Sequence, residues 1–276
     1  MRILVTGANG YLGQGVVKRL IDDKVGEVIA TDISDEHIDK RAIVKKANIF
    51  DLENPFEFLG NPDVVLHMAW RDGFKHSSLN HMMDLPKHYI FLSNMAAGGV
   101  KRICVMGSMH EVGFYEGSID GNTKTKPLSL YGISKDALRN ATYLITKENN
   151  VIFQWIRGFY IVGNSEQGSS IFSKIVQAAN RGEKEFPFTS GTNQFDFLDY
   201  EEFCTQVAKV VEQDKVNGII NCCSGKPESL AGRVERFIKE NGYDIKLKYG
   251  AFPDRPYDSK AIWGNDEKIR KIVDEG

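Results

Sequence analysis

Tyr131 and Lys135 stand four positions apart in "YGISK", a spacing that puts a phenol and an ammonium on one face of a helix. A phenol with a pKa of about 10 is a poor acid or base near neutrality, and a nearby positive charge lowers that value by favouring the phenolate. The pair can therefore move a proton at a reacting oxygen, with Lys135 expected to tune Tyr131 downward. Tyrosine and lysine also meet at this spacing on ordinary amphipathic helices, so the pair alone decides nothing.

The context lies upstream. "VTGANGYLGQG" sets Gly7, Gly10 and Gly13 three apart between an apolar run and a helical one. The first glycine permits a tight turn, the second lets backbone approach a pyrophosphate, and the third lets the helix pack closely on the sheet. Amides at the helix N-terminus then face the anion. Turns also collect glycine for structural reasons. Here, however, Asp32 closes the next apolar run 19 residues past Gly13, where a carboxylate accepts the ribose hydroxyls of a dinucleotide. That carboxylate would repel a 2′-phosphate, so NAD is expected and NADP disfavoured.

The elements that must position these residues are visible as periodicity. Short β-branched runs at 2–7, 27–32, 42–48, 63–69, 102–108 and 151–158 surround helical patterns at 11–23, 80–98 and 130–148. Continuous apolar strands joined through helices predict a parallel sheet covered on both faces, a Rossmann-type doubly wound α/β fold. Past Gly163 the pattern loosens, with helices near 200–213 and 229–241 and the run "GIINCCSG". We expect a dinucleotide-binding unit at 1–163 and a smaller substrate lobe at 164–276, whose segments can return to the sheet.

These motifs resemble the extended short-chain dehydrogenase/reductase family, in its NAD-dependent epimerase/dehydratase branch that handles sugar nucleotides. "TGANGYLG" is similar to the family's glycine motif, and "HMAW" at 67–70 resembles the segment passing under the cofactor. "ANI" at 47–49, where Gly-Asp-Ile is usual, places Asn48 and Ile49 beside the adenine. The implied cofactor site comprises Gly7, Asn9, Gly10, Tyr11, Leu12, Gly13, Asp32, Ile33, Asn48, Ile49, Met68, Ala69, Trp70, Met106, Tyr131, Lys135 and Phe159. "GSMHEVG" resembles the serine motif and implies a catalytic trio of Ser108, Tyr131 and Lys135. On that pattern Ser108 orients the substrate oxygen, Lys135 holds the nicotinamide ribose, and Tyr131 moves a proton as hydride passes between substrate and nicotinamide.

On the substrate side the expected residues are Ser108, His110, Tyr131, Tyr160 and Arg255. "DRPYDSK" resembles the family's closing Arg-x-x-Asp segment, which implies Arg255 on a diphosphate with Asp258 steadying the loop. Four positions depart from the pattern: Tyr160 for an asparagine, Phe195 for a diphosphate-gripping arginine, Asp84 for a helical asparagine and Gly107 for a second serine. Loss of one guanidinium weakens a pyrophosphate site, because charge-assisted bidentate bonds are the strong ones. Trp70 and Arg71 are placed to close over substrate.

Bulk properties exclude other classes. Thirty-five basic against 37 acidic side chains, with no basic block, leave nothing to track a nucleic acid backbone. Cys104, Cys204, Cys222 and Cys223 contain no C-x-x-C pair, as expected of reduced thiols in a cytoplasm. No leader-like start and no apolar run of about 18 residues point to a soluble cytosolic protein. His110 and Glu111 begin like a zinc-protease helix but lack the second histidine, so no metal is expected.

The activity expected first is an NAD-dependent reductase of a 4-keto-deoxysugar nucleotide. A sugar-nucleotide 4-epimerase keeps the same trio, and "SMHEVGFY" faintly resembles uronate dehydrogenases. A non-catalytic NAD sensor is the rival of another class, disfavoured because Tyr131 and Lys135 are both kept. The resemblance further implies a homodimer built on the helices near 80–98 and 130–148.

Overall fold

A computed structural model describes residues 1–168, 170–253 and 259–274. Its first half runs β1 Arg2–Thr6, α1 Tyr11–Asp22, β2 Glu27–Asp32, β3 Ile43–Lys46, α2 Pro55–Phe58, β4 Val64–His67, α3 Asn80–Gly98, β5 Arg102–Ser108, β6 Gly117–Ile119 and α4 Leu130–Glu148. It continues through β7 Ile152–Gly158, β8 Tyr160–Val162, α5 Ile171–Asn180, β9 Glu185–Pro187, β10 Gln194–Asp199 and α6 Tyr200–Glu212. The last elements are β11 Gly218–Cys222, β12 Pro227–Ser229, α7 Leu230–Glu240, β13 Lys246–Lys248, β14 Ala261–Gly264 and α8 Glu267–Asp274.

Among the described residues, seven parallel strands form one sheet in the order β11-β7-β5-β4-β1-β2-β3. This is the expected doubly wound arrangement. Because side chains alternate along a strand, Ile3, Val5, Leu66 and Met106 pack on one face with α1, α6 and α8. Leu4, Val65, Ile103 and Trp155 pack on the other with α3 and α4. Both faces are covered by helices, so these strands read as unbroken apolar runs.

Among the described residues, the stretch after residue 163 is divided among three sheets, the smallest being the parallel pair β9 and β13. β11 returns to the large sheet, pairing in register with β7 from Gly218 to Cys222. The second sheet runs β12-β10-β14-β6 with β8 beside β10, and so recruits β6 and β8 from the first part of the chain. The two layers are stitched by these exchanges. The carboxyl ends of β1, β4 and β5 place Thr6, His67 and Ser108 along one edge, where open α/β sheets bind ligands.

Candidate active site

The glycine loop is built for close approach. Gly7 sits at φ 71°, and a Cβ there would lie 2.6 Å from the Ala69 amide nitrogen; a Cβ on Gly13 would lie 2.1 Å from the Gly7 carbonyl oxygen. Only hydrogen fits at either position. Gly10 caps α1 without a side-chain bond, leaving the helix amides to an anion. At the end of β2, Asp32 accepts the Asn9 amide at 3.0 Å and the Ile33 amide at 2.7 Å, which fixes its carboxylate beside the loop. A helix N-terminus with a neighbouring carboxylate on the next strand fits the two halves of a dinucleotide, pyrophosphate and ribose.

The remaining expected cofactor residues are placed as follows. Met68 and Ala69 donate their amides to the Thr6 hydroxyl, each at 3.2 Å. Asn48 binds Asp51 at 2.7 Å, and Ile49 is buried among core residues of α3. Leu12 packs against the core, Phe159 lies within it, and Ile33 is exposed. Tyr11 stacks against Tyr200 with ring centres 4.5 Å apart and accepts the Tyr200 hydroxyl on its carbonyl.

Ser108 ends β5 and caps the short turn Met109–Glu111. Tyr131 lies in the first turn of α4, which Ser129 caps by accepting the Gly132 amide at 3.1 Å. The Ser108 hydroxyl lies near the Tyr131 phenol and favours its ionised form. Lys135, one turn further and almost fully buried, donates to the Met106 carbonyl at 2.7 Å and holds Nζ 3.8 Å above the Trp70 ring. The structure thus brings together all three residues of the expected trio.

The expected tuning has the opposite sign. Burial pushes the Tyr131 hydroxyl up to about 12; the Ser108 hydroxyl opposes this and the charge of Glu111 adds to it. Burial also lowers Lys135 to about 7, with Glu111 pulling it back up. Lys135 is committed to the Met106 carbonyl and the Trp70 face, and its Nζ lies 6.0 Å from the Tyr131 ring centre. Desolvation therefore outweighs the ammonium. Tyr131 is held as a phenol at neutral pH.

Aromatic rings enclose Tyr131. His76 stacks on it at 5.0 Å and accepts its backbone amide at 3.0 Å, while His81, His110 and Trp70 meet it edge-on. His110 also contacts His76 at 4.4 Å, so the expected substrate-side histidine does sit beside the trio. The sequence does not single out His76, which lies in an aperiodic segment with no motif around it. Tyr160 stacks on buried Phe195 at 4.5 Å. Asp84 pairs with Arg71 and Lys87, which ties down the arginine expected to close over substrate. Arg255 and Asp258 lie outside the described residues.

Beneath Trp70 runs a buried polar relay. The Thr6 hydroxyl accepts two amides and so donates its proton to His67 Nδ1 at 2.8 Å; His67 Nε2 then donates to His88 Nδ1 at 2.8 Å. His88 stacks under Trp70 at 4.5 Å. Burial holds His67 well below the ordinary histidine range and His88 down at about 3. Their folded-state values are depressed, so the stability they contribute is fully present above about pH 6.5 and is lost as pH falls toward 3, at about 1.4 kcal/mol per pH unit for each ring. In ring-labelled protein the His67 and His88 resonances are expected to keep their neutral shifts from pH 8 to 5. Midpoints near 6.5 would contradict the relay.

A family model for the NAD dependent epimerase/dehydratase family matches residues 3–223. The chain belongs to that family. It is accordingly an NAD-dependent enzyme of the short-chain dehydrogenase/reductase type. A dTDP-6-deoxy-L-talose 4-dehydrogenase (NAD(+)) from Aggregatibacter actinomycetemcomitans is 41% identical over 271 residues, covering 96% of this chain and 99% of that protein. UDP-glucose 4-epimerase of Thermotoga maritima, solved with UDP-glucose, shares the fold with a TM-score of 0.83 at 21% identity, over 98% of this chain and 92% of that one. So does the UDP-glucuronic acid 4-epimerase of Bacillus cereus, solved with UDP-glucuronic acid and NAD, with a TM-score of 0.83 at 17% identity over 100% and 94%. Among the described residues, no helix is long and apolar enough to cross a membrane, and no group of three or more potential ligands is arranged to hold a metal ion.

Proposed function

We propose that the protein is a 4-keto-6-deoxysugar nucleotide reductase that interconverts the ketone and the hydroxyl at C4 of a dTDP-linked 6-deoxyhexose. Written as a reduction, a dTDP-4-keto-6-deoxyhexose, NADH and a proton give the dTDP-6-deoxyhexose and NAD. The observation that carries this reading is the near full-length relative at 41% identity, whose named substrate is dTDP-6-deoxy-L-talose. The site supports it chemically. Bound NAD(H) supplies or receives the hydride.

Ser108 holds the sugar oxygen by hydrogen bond, and Tyr131, kept protonated by burial, gives its proton to the oxygen as it gains charge. Lys135 is anchored to backbone one turn below, where it can hold a ribose hydroxyl and return a proton through Tyr131. His110, Tyr160 and Arg255 are assigned to the substrate side. Phe195 is buried against Tyr160, so the diphosphate is gripped without a guanidinium from that position.

A homodimer is part of the same proposal. Met83 and Ile90 on α3 and Tyr143 and Leu144 on α4 are all more than half exposed, leaving an apolar surface on two helices that pack together. A monomeric mass by light scattering would remove it.

The purified protein with dTDP-6-deoxy-L-talose and added NAD is expected to form one NADH per 4-keto product. Sugar isomerisation without net NADH would make it an epimerase, and oxidation of free galacturonate in preference would make it a uronate dehydrogenase. Either result would replace the reductase reading.

A further inference from the structure

Glu111 lies three residues past Ser108 and is wholly buried. Its Oε1 accepts the Ser108 amide at 2.6 Å and the Trp155 indole N–H at 2.8 Å. Its Oε2 faces Arg157 Nη2 at 3.5 Å and Arg139 Nε at 3.6 Å. The Ser108 hydroxyl in turn accepts the His110 amide at 3.3 Å, so serine and glutamate cap the short turn reciprocally. Burying a carboxylate costs several kcal/mol unless it is paired; here two N–H groups bond Oε1, while the two guanidinium groups face Oε2 at ion-pair distance without a hydrogen bond. With no exposure, this carboxylate cannot reach a substrate.

We propose that Glu111 is a positioning residue of the catalytic trio: by accepting the Ser108 amide it fixes the serine at the end of β5. The proposal rests on the roles assigned above to those three residues. One further observation supports it. A Cβ on Gly107 would lie 2.1 Å from Trp155 Nε1 and 2.6 Å from Glu111 Oε1, so the glycine found where a second serine is usual makes room for this carboxylate and its indole partner.

The guanidinium groups that face Glu111 are themselves held in place, Arg157 by the Asp120 carbonyl and Arg139 by Asp136.

Glu111→Gln tests this. A carboxamide cannot serve both sides, because its NH2 must face either the Ser108 amide and the indole or the two guanidinium groups. In cofactor-free protein, amide NMR is expected to show the Ser108 proton shifted downfield by its bond to the carboxylate, and the substitution moving it upfield. With dTDP-6-deoxy-L-talose and NAD, the same substitution should lower kcat about tenfold while KM for NAD stays within about twofold. In a Ser108→Ala background it should change kcat by less than about twofold, because the effect runs through Ser108.

Additive losses in the double variant, or an unmoved Ser108 amide resonance, would overturn the proposal. The amide measurement uses no substrate, so it decides even where the wild-type enzyme does not turn over that sugar nucleotide. Should Glu111→Gln fail to fold, Trp155→Phe removes one of the two donors to Oε1 and takes its place in the kinetic cycle, with the same non-additive pattern expected.

Discussion

Tyr131→Phe is expected to lower turnover by about 10²- to 10⁴-fold while NADH binds as before. The substitution removes one oxygen and keeps the ring, so the stack on His76 and the edge contacts with His81 and Trp70 persist. Nothing else in the trio replaces the lost proton: Ser108 is a weak acid, and Lys135 is turned to the Met106 carbonyl. Steady-state rates alongside a fluorescence titration of NADH separate the two effects. Turnover within about tenfold of wild type would remove Tyr131 from the chemistry, and loss of NADH binding would mean that the phenol holds the cofactor instead.

Gly13→Ala carries the second large effect. Its Cβ would lie 2.1 Å from the Gly7 carbonyl oxygen and 2.9 Å from the Ala8 Cα, both backbone atoms of the loop itself. The chain can relieve such contacts only by moving α1 away from the loop, which disperses the amides aimed at the pyrophosphate. An overpacking cost of about 1–3 kcal/mol is expected in stability, and NADH affinity should fall by at least about 100-fold, or about 2.7 kcal/mol. Thermal unfolding and NADH titration of the same preparation check both. Wild-type affinity in the variant would mean that the loop does not bind the cofactor.

Much of this architecture was legible because its signals are local. The helices at 80–98 and 130–148 are read from periodicity and recur as α3 and α4, and the strands announce themselves as apolar runs because both faces are buried. That a later segment can return to the large sheet is part of the sequence reading; that Gly218–Cys222 is the one that does so was not legible. Its sequence reads like the other strands, and which sheet it joins depends on pairing with β7, a partner some 60 residues earlier.

The trio was readable from spacing and motif, but the direction of its tuning was not. Spacing reports that an ammonium is near a phenol; it does not report that both are buried, and burial decides the sign. In the sequence Glu111 stands out only as half of a metal motif. A better signal lay in β7, where Arg157 is the one charged side chain in a buried, mostly apolar strand. A charge inside such a strand calls for a buried counter-charge, and Glu111 is that partner.

The most direct test follows a label. dTDP-6-deoxy-L-talose carrying deuterium at C4 is incubated with the enzyme and NAD, and the reduced cofactor is examined by mass spectrometry. Deuterium is expected in the reduced nicotinamide, one per ketone formed, with its appearance suppressed in Tyr131→Phe. Turnover of the sugar that leaves the reduced cofactor unlabelled, or that proceeds equally well without Tyr131, would contradict hydride and proton transfer at C4 by this site.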